Sequence, residues 1–324
     1  MATQIGPIVV TGAGGFIGRR VVRKLIESGY SVRALVHRPP SQAFDAAVHV
    51  SVGDVTHPET YAALLNGAYA VVHAALTDDL TADVAVTPAL QQSSVEAGVQ
   101  KLVHLSSIAV YGSRSSGVIT EQMQPLESPD RYSRAKLAIE EALRADCAIG
   151  ETVILRLGCV YGPGKGWWTD GLLNLMQRGK LIAINDGSGI ANLIHVDDVG
   201  AMVLLTLRHS GSSLDIFNVT GGVPVTWRQY FSALEDILGR RATVSMSEAE
   251  ARRYSQVWLQ PSLVRRAVRR LRGRRFIYPL DGRAIANYAS SAIFSNEKAR
   301  TIGFKPEYDL ESGLQTITRC PTRK

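Results

Sequence analysis

The chain of 324 residues is 45% hydrophobic and 20% charged, which suits one large domain, or a large and a small one, with a sizeable core. No apolar run is long enough to cross a bilayer, and residues 1–4 do not begin a signal peptide, so we expect no transmembrane segment and a cytoplasmic location. Three scattered cysteines, Cys147, Cys159 and Cys320, predict neither a disulfide framework nor a zinc site.

The net charge of +7 is unevenly distributed along the chain. Residues 240–324 contain 18 Lys and Arg against 7 Asp and Glu, whereas the first 239 residues carry an excess of acids. Nine arginines between residues 252 and 275 alternate with apolar residues, which predicts a basic amphipathic helix. Three roles fit this helix. It is a solvent-exposed helix that covers the substrate-binding lobe, a binding site for an anionic substrate, or a lid that rests on a membrane surface. No nucleic-acid-binding motif accompanies the charge, so we expect no nucleic-acid partner.

The chain begins with a predicted strand, a glycine-rich turn and an amphipathic helix that stops near Gly29. Glycines in the turn follow G-x-x-G-x-x-G, and this order of elements is typical of a dinucleotide-binding unit. Glycine lets the backbone approach a pyrophosphate, and the helix N-terminus offers N–H donors to it. The residues of this turn that we expect to bind the cofactor are Thr11, Gly12, Gly14, Gly15, Phe16, Ile17 and Gly18.

The second predicted strand, residues 31–38, ends in a cation. An NAD enzyme usually has an acid there for the ribose 2′-hydroxyl. His37 and Arg38 occupy this end instead, which favours the 2′-phosphate of NADP. Arg38 is the first choice for that contact, and a solvated loop charge is the alternative.

Further strands are predicted at residues 48–52, 70–75 and 101–105, with a helix at about 84–98. Strands that alternate with helices predict an α/β fold, a Rossmann-like doubly wound parallel sheet. Ligands of such folds bind at the carboxyl ends of the strands, where Ser107 follows the fifth strand.

Tyr132 and Lys136 are four residues apart on a predicted helix and therefore share one face. An ammonium group near a phenol favours the phenolate, so we expect Lys136 to lower the pKa of Tyr132. A tyrosine with a lowered pKa can donate and accept protons near neutrality.

Taken together, the motifs resemble those of the extended short-chain dehydrogenases/reductases, which include the NAD-dependent epimerase/dehydratase proteins. In family order they are TGAGGFIG (11–18), GDV (53–55), VVHAA (71–75), LSSIAVYG (105–112), YSRAK (132–136), RLGCVYGPG (156–164), LIHVDDV (193–199), FNVTGG (217–222) and FSNEKAR (294–300).

The resemblance implies roles for particular residues. Tyr132 would be the general acid/base, and Lys136 would bind the nicotinamide ribose. Ser107, four residues before Tyr111, would hydrogen-bond the substrate oxygen while nicotinamide C4 exchanges a hydride with the same carbon. The resemblance also implies cofactor contacts at Asp54, Val55, Ala74 and Ala75.

Three departures from the family pattern bear on the substrate. Asp83 stands where the family often has asparagine, and Cys159 stands where nucleotide-sugar epimerases have the asparagine of R-x-F-N. The third departure is the missing acid after strand two. The last two favour an NADP(H)-dependent oxidoreductase acting on a small ketone or secondary alcohol. An NAD-dependent nucleotide-sugar epimerase or dehydratase is the alternative, and a non-catalytic NADP-sensing regulator is a minor one.

Substrate contacts are predicted at Thr77, Cys159, Trp167 and Trp168, where the adjacent tryptophans either line an apolar pocket or pack in the core. His195 is either catalytic or joins two lobes. No cluster has metal spacing, so we predict no metal. The substrate is expected to be a small molecule, and an anionic one is among the alternatives that the basic helix leaves open.

We expect a dinucleotide-binding Rossmann domain over residues 1–160, to which residues 190–220 return. A smaller C-terminal lobe, residues 161–189 and 221–324, would bind most of the substrate. The protein is expected to form a homodimer.

Overall fold

The computed structural model describes residues 6–126, 128–145, 149–260, 268 and 271–318. Its strands, in chain order, are β1 (Ile8–Thr11), β2 (Val32–Val36), β3 (Val48–Val52), β4 (Ala70–His73), β5 (Lys101–Ser107), β6 (Val118–Ile119), β7 (Glu151–Leu157), β8 (Cys159–Tyr161), β9 (Leu181–Ile184), β10 (Leu193–His195), β11 (Leu214–Val219), β12 (Thr243–Met246) and β13 (Ile293–Phe294).

The helices of the described chain are α1 (Phe16–Glu27), α2 (Ala62–Leu65), α3 (Leu80–Glu96), α4 (Arg131–Ala145), α5 (Leu172–Arg178), α6 (Val196–Arg208), α7 (Trp227–Leu238), α8 (Glu248–Trp258), α9 (Gly282–Ala289), α10 (Glu297–Thr301) and α11 (Leu310–Thr318). Helix α3 begins one turn earlier than predicted, because the Asp79 side chain accepts the Thr81 N–H at 2.8 Å and caps its N-terminus.

Seven parallel strands form the central sheet in the order β11-β7-β5-β4-β1-β2-β3. The strand order reverses between β1 and β4, and a doubly wound sheet binds its ligands in the crevice at this point. The predicted Rossmann-like fold is confirmed.

Both faces of the sheet are covered, which explains why its central strands β1 and β4 are buried along their whole length, whereas β3 at the edge is mostly exposed. Helices α1 and α6 pack on one face, where Val10 and Val203 are fully buried. Helices α3 and α4 pack on the other face, where Val9 and Leu143 are fully buried. The alternation of Val9 and Val10 between the two cores follows the period of two of a strand.

A second core lies in the C-terminal part of the chain. Trp227 is fully buried at the centre of this core. The ring centroids of Trp168, Phe231 and Tyr288 lie between 4.4 and 5.4 Å from the centroid of the Trp227 ring. Cys159 and Leu193, which we assigned to the Rossmann domain, also belong to this core. The exact division into two domains stays a prediction.

The basic amphipathic helix predicted at residues 252–275 is described in part. Helix α8 covers its beginning and ends at Trp258, whereas residues 261–267 and 269–270 lie outside the described residues. Cys147 and Cys320 lie outside them as well.

A buried ion pair connects α4 to the sheet. The Arg156 guanidinium on β7 donates to the Glu140 carboxylate on α4 through Nη2 at 2.7 Å and Nε at 3.1 Å, and both side chains are fully buried. Ser106 on β5 donates to the same carboxylate at 2.6 Å. Arg144, which is 38% exposed, approaches it from the surface at 3.4 Å.

We expect Arg156→Ala to lower the free energy of unfolding by about 3–5 kcal/mol, since it leaves the Glu140 charge buried without its main partner. Arg144→Ala is the matched control and should cost less than about 1 kcal/mol, because its side chain is partly exposed. Urea denaturation measures both values. Equal losses in the two variants would contradict this account of the ion pair.

Candidate active site

The glycine-rich turn leads from β1 into α1. Gly12 has a φ of +64°, and a Cβ atom there would lie 2.6 Å from the backbone of Ala75, so only glycine fits. None of the described side chains caps α1 at Gly15, and the first turn of α1 contains no acid. Its N–H groups and positive helix end therefore fit a pyrophosphate.

The other predicted residues of the turn lie around it. Gly14 and Gly15 are exposed, whereas Phe16 and Ile17 are half-buried and face a large cleft, as do Ala74 and Ala75 across from them. Thr11 is an exception, because its buried hydroxyl is hydrogen-bonded to His73 Nδ1 at 2.7 Å. Its side chain is therefore engaged with the core.

Two exposed side chains, His37 and Arg38, follow β2 directly. Arg38 makes no hydrogen bond or ion pair to another described residue, so its guanidinium is available to a phosphate. His37 Nδ1 lies 4.0 Å from the carboxylate of Asp54. Hydrogen bonds from Thr56, followed by the charges of two histidines, lower the pKa of Asp54. Val55 is half-buried beside it.

Ser107 and Tyr132 meet at the carboxyl end of β5. Ser107 is the last residue of β5, and its hydroxyl lies near the Tyr132 side chain in the same cleft and accepts the Ala109 N–H at 3.2 Å. Tyr132 lies in the first turn of α4, where the Asp130 carboxylate accepts the Ser133 N–H and hydroxyl at 2.8 Å each. This cap fixes the beginning of the helix that carries Tyr132.

Lys136 is buried one turn further along α4. Its ammonium donates to the Leu105 carbonyl at 3.2 Å and lies 6.0 Å from the centroid of the Tyr132 ring. Burial lowers the pKa of Lys136 to about 8, while the negative charges of Asp83 and Glu140 oppose this shift. The structure therefore brings together the three residues predicted to be catalytic.

The expected lowering of the Tyr132 pKa is wrong for this arrangement. Burial raises the pKa of Tyr132, and the hydrogen bond with Ser107 and the charge of Arg283 offset only part of that rise. Burial dominates because it disfavours the phenolate, while the Lys136 ammonium is directed at a backbone carbonyl. Tyr132 is therefore protonated at neutral pH.

Arg283 is a site residue that the motifs did not identify. Its guanidinium lies 5.0 Å from the centroid of the Tyr132 ring and 3.7 Å from the Asp130 carboxylate. It comes from α9, about 150 residues after Tyr132, and no local pattern marks it. Only the packing of α9 against the beginning of α4 reveals this contact.

Asp83 replaces the asparagine of the family pattern and is buried. Its Oδ1 accepts the Thr77 N–H at 2.8 Å, whereas Oδ2 has no hydrogen-bond partner among the described residues. The Thr77 hydroxyl donates to the Asp79 carbonyl, and Thr77 does not line the cleft. The structure gives no support to Thr77 as a substrate contact.

A cleft of about 1180 Å³ opens beside Ser107 and Tyr132 and is lined by three predicted substrate residues, Cys159, Trp167 and Trp168. Burial raises the pKa of the Cys159 thiol to about 12, which keeps it neutral. Trp167 is 61% exposed at the edge of the cleft. Trp168 both lines the cleft and packs against Trp227, so the two alternatives for the tryptophan pair apply together.

His195 lies outside the cleft and joins distant parts of the chain. It is buried, its ring stacks on Tyr308 at 3.9 Å between centroids, and Nε2 lies 3.1 Å from the Thr316 hydroxyl. Burial lowers its pKa to about 4. These contacts favour the joining role over the catalytic one.

No group of three or more His, Cys, Asp or Glu side chains in the described part of the chain could hold a metal ion. No described helix is both long and apolar enough to cross a membrane.

A glycine turn for a dinucleotide, a parallel sheet and a Ser/Tyr/Lys set at one cleft define the class of short-chain dehydrogenases/reductases. The chain belongs to the NAD dependent epimerase/dehydratase family, whose sequence profile matches residues 8–220. The predictions of this family and of an NAD(P)-dependent enzyme within it are confirmed.

Similar curated proteins include both reductases and epimerases. The ceramide reductase of Caulobacter vibrioides is 27% identical over 74% of each chain. A ketoreductase of Stigmatella aurantiaca, named for 4-hydroxy-2-methyl-3-oxo-4-farnesyl-3,4-dihydroquinoline-1-oxide, is 26% identical over 96% of this chain and 95% of its own. The UDP-glucose 4-epimerase of Vibrio cholerae is 27% identical over 68% of this chain and 72% of its own.

Similar solved structures have the same fold over nearly the whole chain. MoeE5 in complex with UDP-glucuronic acid and NAD has a TM-score of 0.74 at 25% identity and covers 97% of this chain and 98% of its own. The UDP-glucose 4-epimerase of Thermotoga maritima has a TM-score of 0.73 at 22% identity and covers 97% of each chain.

We expect the stability difference between the wild type and Lys136→Met to depend on pH. Above pH 8 the native lysine loses its proton, whereas the unfolded chain keeps it up to about pH 10.5, so the wild type gains stability as the pH rises. The gain between these limits should be about 3 kcal/mol. Denaturation at a series of pH values measures it. Lys305→Met, at an exposed position, is the control. A stability difference between the wild type and Lys136→Met that stays constant or falls as the pH rises would refute the lowered pKa of Lys136.

Proposed function

We propose that this protein is an NADP(H)-dependent oxidoreductase that interconverts a small-molecule ketone and its secondary alcohol. The observation that carries the proposal is the convergence of Ser107, Tyr132 and buried Lys136 on the wall of one largely apolar cleft.

The three side chains can handle the proton of the reaction. A bound nicotinamide supplies a hydride to the carbonyl carbon, or takes one from the alcohol carbon. In reduction, the Ser107 hydroxyl donates a hydrogen bond to the substrate oxygen, and the Tyr132 hydroxyl gives that oxygen its proton. Lys136 would bind the nicotinamide ribose and stabilise the resulting tyrosinate with its positive charge.

The raised pKa of Tyr132 agrees with the direction of reduction at neutral pH. A protonated phenol is ready to donate to the oxygen of a ketone, whereas oxidation of an alcohol requires the phenolate first. Lys136, with a pKa of about 8, still carries its charge in most molecules at neutrality.

The preference for NADP rests on the end of β2. Arg38 and His37 are exposed there, and neither of these positions provides an acid for a ribose 2′-hydroxyl. An arginine with no other partner among the described residues matches the charge and geometry of a 2′-phosphate.

A reductase fits the site better than a nucleotide-sugar epimerase. Cys159 lies in the cleft with a neutral thiol, which is a poor substitute for the amide that binds a diphosphate. Two of the relatives are named as reductases of a ceramide and of a farnesylated quinoline oxide. An NAD-dependent nucleotide-sugar epimerase is the second candidate, supported by the epimerase relative and by MoeE5 with its UDP-sugar. The homodimeric state and the alternative of a non-catalytic NADP-sensing regulator stay predictions that no observation favours.

We expect Tyr132→Phe to lower kcat by about 100- to 10,000-fold, because the proton donor is removed. NADPH binding, followed by its fluorescence, should change less than about threefold, since the ring and Lys136 remain. Tyr30→Phe, far from the cleft, is the matched control. Near-normal turnover of Tyr132→Phe would exclude the proposed mechanism.

Arg38→Asp should weaken NADP⁺ binding by about 10- to 100-fold, the range expected for losing a charge-assisted hydrogen bond. NAD⁺ binding should be unchanged or stronger. Exposed Lys305→Asp makes the same change in charge at a distant place and controls for the total charge. Isothermal titration calorimetry measures both cofactors. A wild type that prefers NAD⁺, together with unchanged NADP⁺ binding in Arg38→Asp, would disprove the 2′-phosphate contact.

A further inference from the structure

The cleft continues from Tyr132 into the C-terminal core, and its character changes on the way. Its polar lining residues include Arg114, Asp281, Arg283 and Asn287, and the Arg283 guanidinium lies 5.0 Å from the centroid of the Tyr132 ring. A second group of lining residues comes from the turn before α5, from α5, β9, the end of α8 and the segment after residue 275. We call the part of the cleft that this second group lines the apolar arm, and six of its residues are Trp168, Leu175, Leu181, Trp258, Phe276 and Tyr278.

Aromatic side chains build one side of the apolar arm. The Trp258 ring packs edge-on against Phe276 at 5.4 Å between centroids, and Phe276 packs edge-on against Tyr278 at 5.3 Å. Backbone bonds fix this wall, because Lys180 donates to the Phe276 carbonyl at 2.8 Å and Tyr278 donates to the Lys180 carbonyl at 2.9 Å. These two hydrogen bonds hold the segment of Phe276 and Tyr278 against the chain at Lys180.

The described lining of the apolar arm carries no charged side chain, and the Arg272 guanidinium, which is not part of the lining, lies 5.5 Å from the centroid of the Trp258 ring. Between Leu172 and Leu280, no described residue that lines the cleft has a charged side chain. Water gains few hydrogen bonds between such walls, whereas an apolar group gains contacts with all of them. The recognition expected here is hydrophobic burial, and the ribose, diphosphate or sugar hydroxyls of a nucleotide sugar would find few partners.

The volume of the cleft exceeds what the reacting group alone requires. At about 1180 Å³ it is larger than the roughly 300–1,000 Å³ of ordinary ligand pockets. One end of the cleft is assigned to the cofactor, because the predicted cofactor contacts Phe16, Ile17, Ala74 and Ala75 line it. The remaining space has room for a ketone together with a large substituent.

We propose that the apolar arm binds a long alkyl, prenyl or fused-ring group of the substrate while the carbonyl oxygen lies at Ser107 and Tyr132. This inference rests on the proposed function and narrows its substrate class to ketones and alcohols that carry a large apolar group. Selectivity comes from burial of that group, because each methylene removed from water adds about 0.8 kcal/mol, up to about fourfold in an equilibrium constant.

Leu259 offers a way to test the arm without disturbing the core. It lines the cleft at the C-terminal end of α8 and is 52% exposed, so a charge there is compatible with folding. Val257 is 54% exposed in the last turn of α8, two residues before Leu259, and does not line the cleft. Val257→Glu therefore matches Leu259→Glu in exposure and charge.

The first measurement is NADPH-dependent reduction of a series of methyl ketones from butanone to dodecan-2-one. We expect kcat/KM to rise by roughly two- to fourfold per added methylene until the arm is filled. Leu259→Glu should lower kcat/KM for dodecan-2-one by at least about tenfold and change it for butanone by less than about twofold. Val257→Glu should behave like the wild type with both ketones.

The second measurement does not depend on turnover. cis-Parinaric acid, a fluorescent long-chain fatty acid, should bind the wild type and Val257→Glu and bind Leu259→Glu at least about tenfold more weakly. Equal kcat/KM for all chain lengths would overturn the apolar arm and leave the ketone reductase standing. No turnover of any ketone, with probe binding sensitive only to Leu259→Glu, would retain the arm and overturn the reductase. Failure of both measurements would overturn both proposals.

Discussion

The buried ion pair between Glu140 and Arg156 is the contact on which the geometry of the site depends. It fastens α4 to β7, and through Ser106 it reaches β5 as well. Because α4 carries Tyr132 and Lys136, this one carboxylate fixes their position relative to the serine at the end of β5. The direct bond from Lys136 to the Leu105 carbonyl repeats the same connection one turn closer to the cleft. A site that must align a hydroxyl, a phenol and a substrate carbon gains from such rigid support.

The sequence predicted the features that depend on short stretches of chain. Three of them are local patterns that the structure contains: the glycine turn, the alternation of strands and helices, and the spacing of Tyr132 and Lys136. The contact of Arg283 with Tyr132 joins residues about 150 apart, and the aromatic wall is held to Lys180 by residues nearly 100 further along the chain, so no local pattern records them. The sign of the Tyr132 pKa shift was mispredicted for a related reason, since spacing along a helix reveals a neighbouring charge but not how deeply the pair is buried.

Reductases and epimerases share this catalytic arrangement, which explains why both occur among the relatives of the chain. Proton transfer through a serine and a tyrosine serves either reaction. The two activities differ in what holds the substrate: a diphosphate needs polar donors, whereas an apolar ketone needs surface to bury. The substrate class must therefore be argued from the C-terminal part of the cleft, where Cys159 and the aromatic wall lie.

The charge of Arg283 acts between the C-terminal part of the chain and Tyr132 on α4. The helix that carries Arg283, α9, packs into the C-terminal core through Ile285 and Tyr288, while the guanidinium lies 5.0 Å from the centroid of the Tyr132 ring. The positive charge that opposes the rise in the Tyr132 pKa is thus supplied by the C-terminal part of the chain. The acidity of Tyr132 therefore depends on a contact between two segments about 150 residues apart.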